Sequence, residues 1–252
     1  MTKKLLSLTA IFLCFTLLFG CSDNDDSSSG GGNNNQLPSV GVQTITVPSA
    51  MKNSSNSYAQ MAVGYINLAN GFSAYTAGLT PPGNATVKTV SSTGLGMLEV
   101  ATTTKTYTWT YSGLTYKLIF EETATNYSWT VIYDGTLGSG QGSITFNNQT
   151  ILTATQLKDG SGGNLVVYYD TAHPTTATLE YVWTKIAGVY TGTITIGVAK
   201  YEVVVNTNGS GHITFWSDTA LHYVFYATWT AAGSGTWTTY QTNGTSTGSG
   251  TW

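Results

Sequence analysis

The residues able to do acid–base or metal chemistry are few and widely spaced. His173, His212 and His222 are the only histidines of the chain. A simple hairpin with its turn at 217–220 would point His212 and His222 to opposite faces of the sheet, with Phe225 opposite His212. Histidines on opposite faces cannot share a metal ion. We therefore expect no metal site and no bound cofactor.

Paired carboxylates could cleave glycosidic bonds, and the chain has 12 aspartates and glutamates. Glu121 and Glu122 are adjacent on a predicted strand, so their side chains face opposite ways. Most of the other carboxylates fall near predicted turns. A glycan hydrolase needs two carboxylates that converge across one cleft, within roughly 10 Å of each other. Hydrolysis is therefore kept as an alternative, and we expect no catalytic residue.

Aromatic side chains are the richest chemical resource, with 7 tryptophans and 16 tyrosines. Their rings stack on sugars and on apolar ligands. At strand periodicity most of them face a core, where each buries about 150–250 Å². Those beside predicted loops are the best candidates for contact with a ligand: Trp216, Trp237 and Tyr240.

Low charge excludes one class of partner. Charged residues make up 8% of the chain, against about 25% in typical domains, and arginine is absent. Nucleic-acid binding requires a cationic surface and favours arginine. We therefore expect no nucleic-acid partner.

A single helix is predicted upstream of the strands, over about residues 57–77. Apolar residues there recur at alternating steps of four and three, which is helical periodicity. Ser57 is the predicted N-cap and Gly78 the predicted end. A second face carries Gly64 and Gly71, which indicate either a close backbone approach or a helix that packing stabilises despite poor propensity. The apolar stripe comprises Tyr58, Met61, Ala62, Tyr65, Leu68, Ala69, Phe72 and Tyr75.

From about Thr102 onward, bulky and hydroxyl side chains alternate with period two. In "TYTWTY", rings at Tyr107, Trp109 and Tyr111 face one way and threonines the other. A similar run places Leu221, Tyr223, Phe225, Ala227 and Trp229 on one face. Frequent Gly and Asn turn signals, including "GSGTW" twice, leave no room for crossover helices, so the strands form an antiparallel meander.

The predicted fold is mainly β, with about twelve strands in a curled or barrel-like sheet. Twelve twisted strands seldom stay flat, and the amphipathic helix is expected to pack on or in the sheet. A two-layer β-sandwich is the alternative.

The amino terminus reads as a signal, an anchor and a spacer. Lys3 and Lys4 precede an apolar stretch, 5–19, that fits a secretory signal and is too short to span a bilayer. Residues 1–20 form the predicted signal peptide and 21–44 an acylated cysteine with a flexible tether. The β-rich domain covers 45–252.

Two short motifs resemble those of bacterial surface lipoproteins. The stretch Leu18-Phe19-Gly20-Cys21 resembles a lipobox, which implies cleavage by signal peptidase II before Cys21 and acylation of that cysteine with chains such as palmitate. The acidic run 22–26 is similar to the export tag of surface lipoproteins in the Bacteroidota. Together they imply an outer-membrane, cell-surface location with the membrane as partner through Cys21.

Other resemblances are weaker in detail. A helix followed by a Trp-rich β meander is similar to further Bacteroidota lipoproteins, and it also resembles lipid-carrier lipoproteins, whose open barrel holds a helix as a lid. Asp170-Thr171-Ala172 and Asp218-Thr219-Ala220 resemble the O-glycosylation motif of exported Bacteroidota proteins, which implies modification at Thr171 and Thr219.

These patterns predict a non-enzymatic envelope lipoprotein that binds an apolar or glycan ligand. A large cavity beside the helix would favour a lipid, whereas an exposed row of tryptophan and tyrosine would favour a glycan. A structural or adhesive envelope protein with no small ligand, acting through a protein partner, is the first alternative. A glycan hydrolase is the second.

Overall fold

A computed structural model describes residues 37–41, 43–77, 79–92, 101–138, 143–168 and 175–252. The predicted signal peptide, Cys21 and most of the tether lie outside the described residues. So do Gly78, Thr171 and His173.

The described chain contains two helices followed by thirteen strands. The helices are α1 (Ser49–Lys52) and α2 (Ser57–Ala77). The strands are β1 (Thr86–Ser92), β2 (Thr102–Tyr111), β3 (Leu114–Glu122), β4 (Asn126–Leu137), β5 (Ile144–Leu157), β6 (Gly162–Val167), β7 (Leu179–Ile186), β8 (Val189–Ile196), β9 (Ala199–Val205), β10 (Gly211–Trp216), β11 (Phe225–Trp229), β12 (Gly235–Tyr240) and β13 (Ser246–Thr251).

All strands belong to one antiparallel sheet whose spatial order is the order of the chain. The predicted mainly β meander is confirmed. The sheet does not close, since β1 and β13 each have one strand neighbour among the described residues. The sequence indicated about twelve strands because β1 gives no alternating signal: all 7 of its residues are exposed.

Alternate turns of a meander lie at the same edge of the sheet. The near edge carries the β5–β6, β7–β8, β9–β10 and β11–β12 turns, and the far edge carries the links between β8 and β9, β10 and β11, and β12 and β13. Two described residues before α1 contact the near edge. The Gly41 backbone N–H donates to the Gln156 side chain near the end of β5, and Pro48 lies against Gly233 in the β11–β12 turn.

The two faces of the sheet have the composition that the alternation predicts. Register places Tyr107 opposite Leu118 and Leu118 opposite Val131, all on the inner face. These side chains are buried, together with Trp129 and Trp183, in one continuous hydrophobic cluster. The outer face carries mostly threonine, with scattered charges and a few rings.

Helix α2 lies across the inner face. Its successive rings contact strands farther and farther back in the sheet, from β12 to β9 to β7. The helix rises about 21 Å between Tyr58 and Phe72, and the sheet spans roughly 24 Å between β12 and β7. The helix axis therefore runs nearly perpendicular to the strands. The ring pairs, by centroid distance, are Tyr58–Trp237 at 3.6 Å, Tyr65–Tyr201 at 5.0 Å and Phe72–Tyr181 at 5.1 Å.

Two details of the helix differ from the sequence-based expectation. Asn56, not Ser57, is the N-cap, because its Oδ1 accepts hydrogen bonds from the backbone N–H groups of Tyr58 at 2.9 Å and Ala59 at 3.3 Å. Met61 is 41% exposed, so it lies outside the buried stripe. The buried stripe comprises Ala59, Ala62, Val63, Ile66, Ala69 and Phe72.

Tyrosines occupy much of the helix–sheet interface. The hydroxyls of Tyr181 on β7 and Tyr190 on β8 are hydrogen-bonded to each other. Burial raises the pKa of Tyr181 to about 12, and it raises the pKa of Tyr190 even further. Burial also raises the pKa values of Tyr65 and Tyr201. These phenols therefore stay neutral and add to the core.

Tryptophan rings cover glycines at the near edge, in the "GSG" stretches 209–211 and 233–235. A Cβ added to Gly211 would lie 2.5 Å from the Trp229 ring. The indole N–H of Trp229 donates to the carbonyl of Gly209 at 3.0 Å, where φ is +84°. Trp252 repeats the arrangement by donating to Gly233 at 2.8 Å.

Candidate functional site

Six rings gather on the outer face, five of them toward the far edge and His212 closer to the start of β10. They come from β10, β11, β12 and the link between β10 and β11, and each is partly exposed. We refer to them as the outer aromatic patch: His212, Trp216, His222, Tyr223, Tyr226 and Tyr240.

The link 217–224 positions two of these rings by folding back along the sheet. The backbone N–H of Thr219 donates to the carbonyl of Val198 at 2.8 Å, in the β8–β9 turn. The backbone N–H of His222 donates to the carbonyl of Thr242 at 3.0 Å, in the β12–β13 turn. Since both neighbouring turns hold the link, the patch is organised without a ligand.

Tyr223 is the centre of the patch. Its ring lies 5.9 Å from Trp216 and 5.0 Å from Tyr240, close to perpendicular in both cases. Tyr226 lies 6.1 Å away and His222 4.1 Å away. Edge-to-face pairs of this kind are favourable and hold their rings in fixed orientations. The patch therefore presents ring faces and polar ring atoms in a defined arrangement.

The two histidines differ in environment. His222 Nδ1 lies 2.7 Å from the Tyr223 carbonyl oxygen, which can only accept, so Nδ1 carries a proton and the neutral ring keeps Nε2 as an acceptor. His212 packs 5.7 Å from Tyr226. Burial lowers the pKa of His212, and the Glu202 carboxylate partly offsets that effect. Its imidazole is therefore neutral at pH 7.

Lys200 covers one face of Trp216. Its ammonium nitrogen lies 3.6 Å from the ring centroid. An exposed cation–π contact contributes only about 0.5–1 kcal/mol, so a flat ligand can displace this flexible side chain at low cost. The ammonium can then donate hydrogen bonds to the displacing ligand.

The structure brings together two of the three predicted contact residues. Trp216 and Tyr240 both belong to the outer aromatic patch, connected through Tyr223. Trp237 lies on the opposite face, where it stacks on Tyr58 of α2. These contact residues are predicted from their proximity to loops, and that criterion does not distinguish the two faces of a strand.

The predicted hairpin register is wrong. His212 lies opposite Thr228 rather than Phe225, because the link spans 217–224 instead of a short turn. Consequently His212 and His222 are on the same face of the sheet, and Tyr223 is not in the inward-facing series. Sequence reasoning missed Tyr223, although the Leu221–Tyr223 run lies beside a strong turn signal. Even so, no group of three or more metal-ligating side chains occurs in the described part of the chain.

Acidic side chains near the patch and elsewhere have local structural partners. The Asp218 carboxylate accepts a hydrogen bond from the Ala220 backbone N–H at 2.9 Å, next to the exposed Thr219 of the predicted modification motif. Other carboxylate contacts are Glu122 with the Lys158 ammonium at 2.7 Å, Asp134 with the Asn148 backbone N–H at 3.2 Å, and Asp159 with the Ser161 backbone N–H at 2.8 Å.

Comparison with known proteins adds no family to this picture. No protein-family model matches the chain, and no match was found among curated proteins. None of the helices in the described ranges combines the length and apolar character needed to span a bilayer. The chemistry of the outer aromatic patch is therefore the main guide to function.

Proposed function

We propose that this protein is a cell-envelope lipoprotein whose β domain binds a glycan at the outer aromatic patch without catalysing a reaction. The observation that carries the proposal is the cluster of partly exposed rings around Tyr223. Acyl chains on Cys21 anchor the protein in the outer membrane, with the domain displayed at the cell surface. The lipobox-like sequence and the acidic run after it support this location.

A glycan suits the patch better than an apolar ligand does. Pyranose rings present C–H groups on one face, which stack on the negative face of an aromatic ring, while their hydroxyls reach polar neighbours. Tyr223, Tyr240 and His222 offer both kinds of contact. The space between α2 and the sheet is lined by the protein's own rings, and Ile66 and Phe72 are 0% and 1% exposed. That close packing argues against a lipid beneath the helix.

Binding without catalysis is supported by the roles of the carboxylates. Asp218, the acidic residue in the link, is used to cap a turn. Glu202 lies on β9 beside His212 and affects its pKa, on an open strand surface rather than across a cleft. A hydrolase would need a second carboxylate aimed at the same bond.

The test is a glycan screen with the full-length lipoprotein in detergent, followed by calorimetry on the tightest ligand. We expect Trp216→Ala and Tyr240→Ala each to weaken binding at least tenfold, which is about 1.4 kcal/mol. Tyr111→Ala is the matched control, because Tyr111 is 54% exposed on β2, away from the patch. It should bind like the wild type.

Two results would contradict the proposal. One is the absence of any saccharide ligand in the screen. The other is equal binding by the wild type and both patch variants. Recovery of a protein partner through the patch, with no glycan bound, would support the structural or adhesive alternative instead.

A further inference from the structure

A polar groove lies beside β5, away from the outer aromatic patch. It has a volume of about 600 Å³, within the range of ligand-binding clefts. Its described walls carry amide and hydroxyl side chains and one phenol, with no lysine, aspartate or glutamate among them. We refer to it as the amide groove, after Asn147, Asn148 and Gln149, which line it with Tyr168 and neighbouring threonines.

The amide groove exists because neighbouring strands differ in length. β5 has 14 residues, and β4 pairs with it along nearly all of them. β6 pairs only with residues 152–156 of β5, and the Tyr168 backbone N–H makes one further bond to the Ile151 carbonyl at 2.8 Å. Residues 144–150 of β5 therefore have no strand neighbour on that side among the described residues.

A β-bulge shapes the wall of the groove. The β4–β5 register shifts between Tyr133 and Gly135, and Asn148 adopts a left-handed backbone with φ +45°. The Asp134 carboxylate accepts a hydrogen bond from the Asn148 backbone N–H at 3.2 Å. Bulges re-aim side chains, and this one places two consecutive asparagines, both exposed, at the groove.

Gln149 gives an independent indication of a ligand. The residue is only 8% exposed, and its side-chain nitrogen has no hydrogen-bond partner in the described structure. A buried amide without partners costs about 1–3 kcal/mol. Five ring hydroxyls and indole nitrogens of the described core also have no partner, but the Gln149 nitrogen is the one of these atoms that belongs to a residue lining the amide groove. A hydroxylated ligand entering the groove would supply an acceptor.

We infer that the amide groove is a second saccharide subsite, so that the ligand of this protein is an extended polysaccharide. Side-chain amides both donate and accept hydrogen bonds, as sugar hydroxyls do. The inference rests on the proposed function, since it extends the same outer-face ligand beyond the outer aromatic patch.

The positions of the two subsites set the ligand's minimum length. Both lie at the far edge, and the groove residues Thr150 and Thr153 are on the outer face, opposite Ile132 and Thr130, whereas Gln149 pairs with Tyr133 of the inner face and is reached past the unpaired edge of β5. β5 is five strand steps from β10. At about 4.8 Å per step, they are roughly 25 Å apart along the sheet. A mono- or disaccharide cannot reach both, whereas a longer chain can cross the threonine-rich surface between them.

The experiment compares oligosaccharides of one glycan, from disaccharide to decasaccharide, cut from the polysaccharide that binds the wild type best. The variant is Asn147→Ala combined with Asn148→Gly, because glycine keeps the left-handed backbone that Asn148 requires. Asn84→Ala, at an exposed turn outside both subsites, is the control. Circular dichroism and thermal melting check that all three proteins fold alike.

We expect wild-type affinity to rise at least tenfold with chain length and the groove variant to lose that rise while it still binds the disaccharide. Equal affinity for short and long chains overturns the inference and leaves the proposed function intact, provided that Trp216→Ala still weakens binding. An unchanged length dependence in the groove variant overturns it as well. If no saccharide binds the wild type, both the inference and the proposed function fail.

Discussion

Single glycines decide how closely neighbouring strands and rings can pack in this sheet. At Gly211 an added methyl group would meet the Trp229 ring, whereas at Gly64, on the exposed side of α2, it would meet nothing within 4 Å. The sequence alone does not distinguish a glycine that a close contact requires from one that the helix only tolerates. The structure shows that Gly211 is of the first kind and Gly64 of the second.

We expect Gly211→Ala to lower the free energy of unfolding by about 1–3 kcal/mol, because overpacking forces the Trp229 ring and the Val204 backbone apart. Gly64→Ala should raise it by about 1 kcal/mol, since alanine is the better helix former. Urea unfolding followed by tryptophan fluorescence measures both. Opposite signs are the critical result, and a stabilised Gly211→Ala would show that the ring does not lie over this glycine.

For single residues, the sequence indicates which aromatic side chains are candidates for ligand contact better than it indicates which face of the sheet they occupy. Trp216, Trp237 and Tyr240 were selected by the same rule, yet Trp237 belongs to the inner face. Proximity to a loop does not reveal which face of β12 a side chain occupies, and Trp237 pairs with the inward-facing Ala227. The sequence pattern places Tyr223 in the β11 series because the end of the link 217–224 is not visible in it. No local pattern reveals where such a link ends.

Helices and strands are predicted well where one of their faces is buried. The alternation in β2, β3 and β4 and the spacing in α2 both follow from a buried face, so the antiparallel meander and the helix are readable from the sequence. β1 was missed because neither of its faces is buried, and alternation has no cause there. The amide groove was not predicted, since it depends on β5 being longer than β6 and on a bulge.

The tyrosine-rich helix–sheet interface predicts loss of stability at high pH. In the unfolded chain the phenols titrate near 10.0, whereas the pKa of Tyr181 is about 12 in the folded protein. Above pH 10 the unfolded state has lost protons that the folded state keeps, so stability falls as pH rises and is unaffected below that range. The Tyr181 shift alone corresponds to roughly 2–3 kcal/mol.

Urea unfolding between about pH 9 and pH 12 tests this linkage. The double variant Tyr181→Phe with Tyr190→Phe should show a shallower decline than the wild type, because both hydroxyls of the hydrogen-bonded pair are removed together. Tyr111→Phe, at an exposed position, is the control. If the absorbance of ionised tyrosine reached its full value while the protein was still folded, Tyr181 and Tyr190 would not be protected from ionisation, and the prediction would be wrong.

At the scale of the whole molecule, the two edges of the sheet have different roles. Gly41 and Pro48 contact the near edge, and both candidate subsites lie at the far edge. If the proposed lipid anchor joins the domain through residue 37, the candidate subsites would face away from the membrane. Val40 is 6% exposed, so part of the segment predicted as flexible, 21–44, belongs to the packed domain.

We expect Cys21→Ser to abolish labelling with radioactive palmitate and to remove the protein from the outer-membrane fraction, because acylation and cleavage by signal peptidase II both require this cysteine and stable attachment needs several acyl chains. Cys14→Ser is the matched control, since Cys14 lies in the predicted signal peptide and its loss should change neither readout. Protease digestion of intact cells measures surface display. Palmitate labelling of Cys21→Ser, or its retention in the outer-membrane fraction, would contradict the anchor.

Because the strands are arranged in chain order, the sheet can form progressively from β1 toward β13. Each hairpin pairs with the preceding one, and loop closure over short separations is rapid. Helix α2 precedes every strand in the chain but reaches β12 through Tyr58 and Trp237, so its docking is complete only after almost the last strand has formed. Until then, part of the inner face stays exposed to solvent.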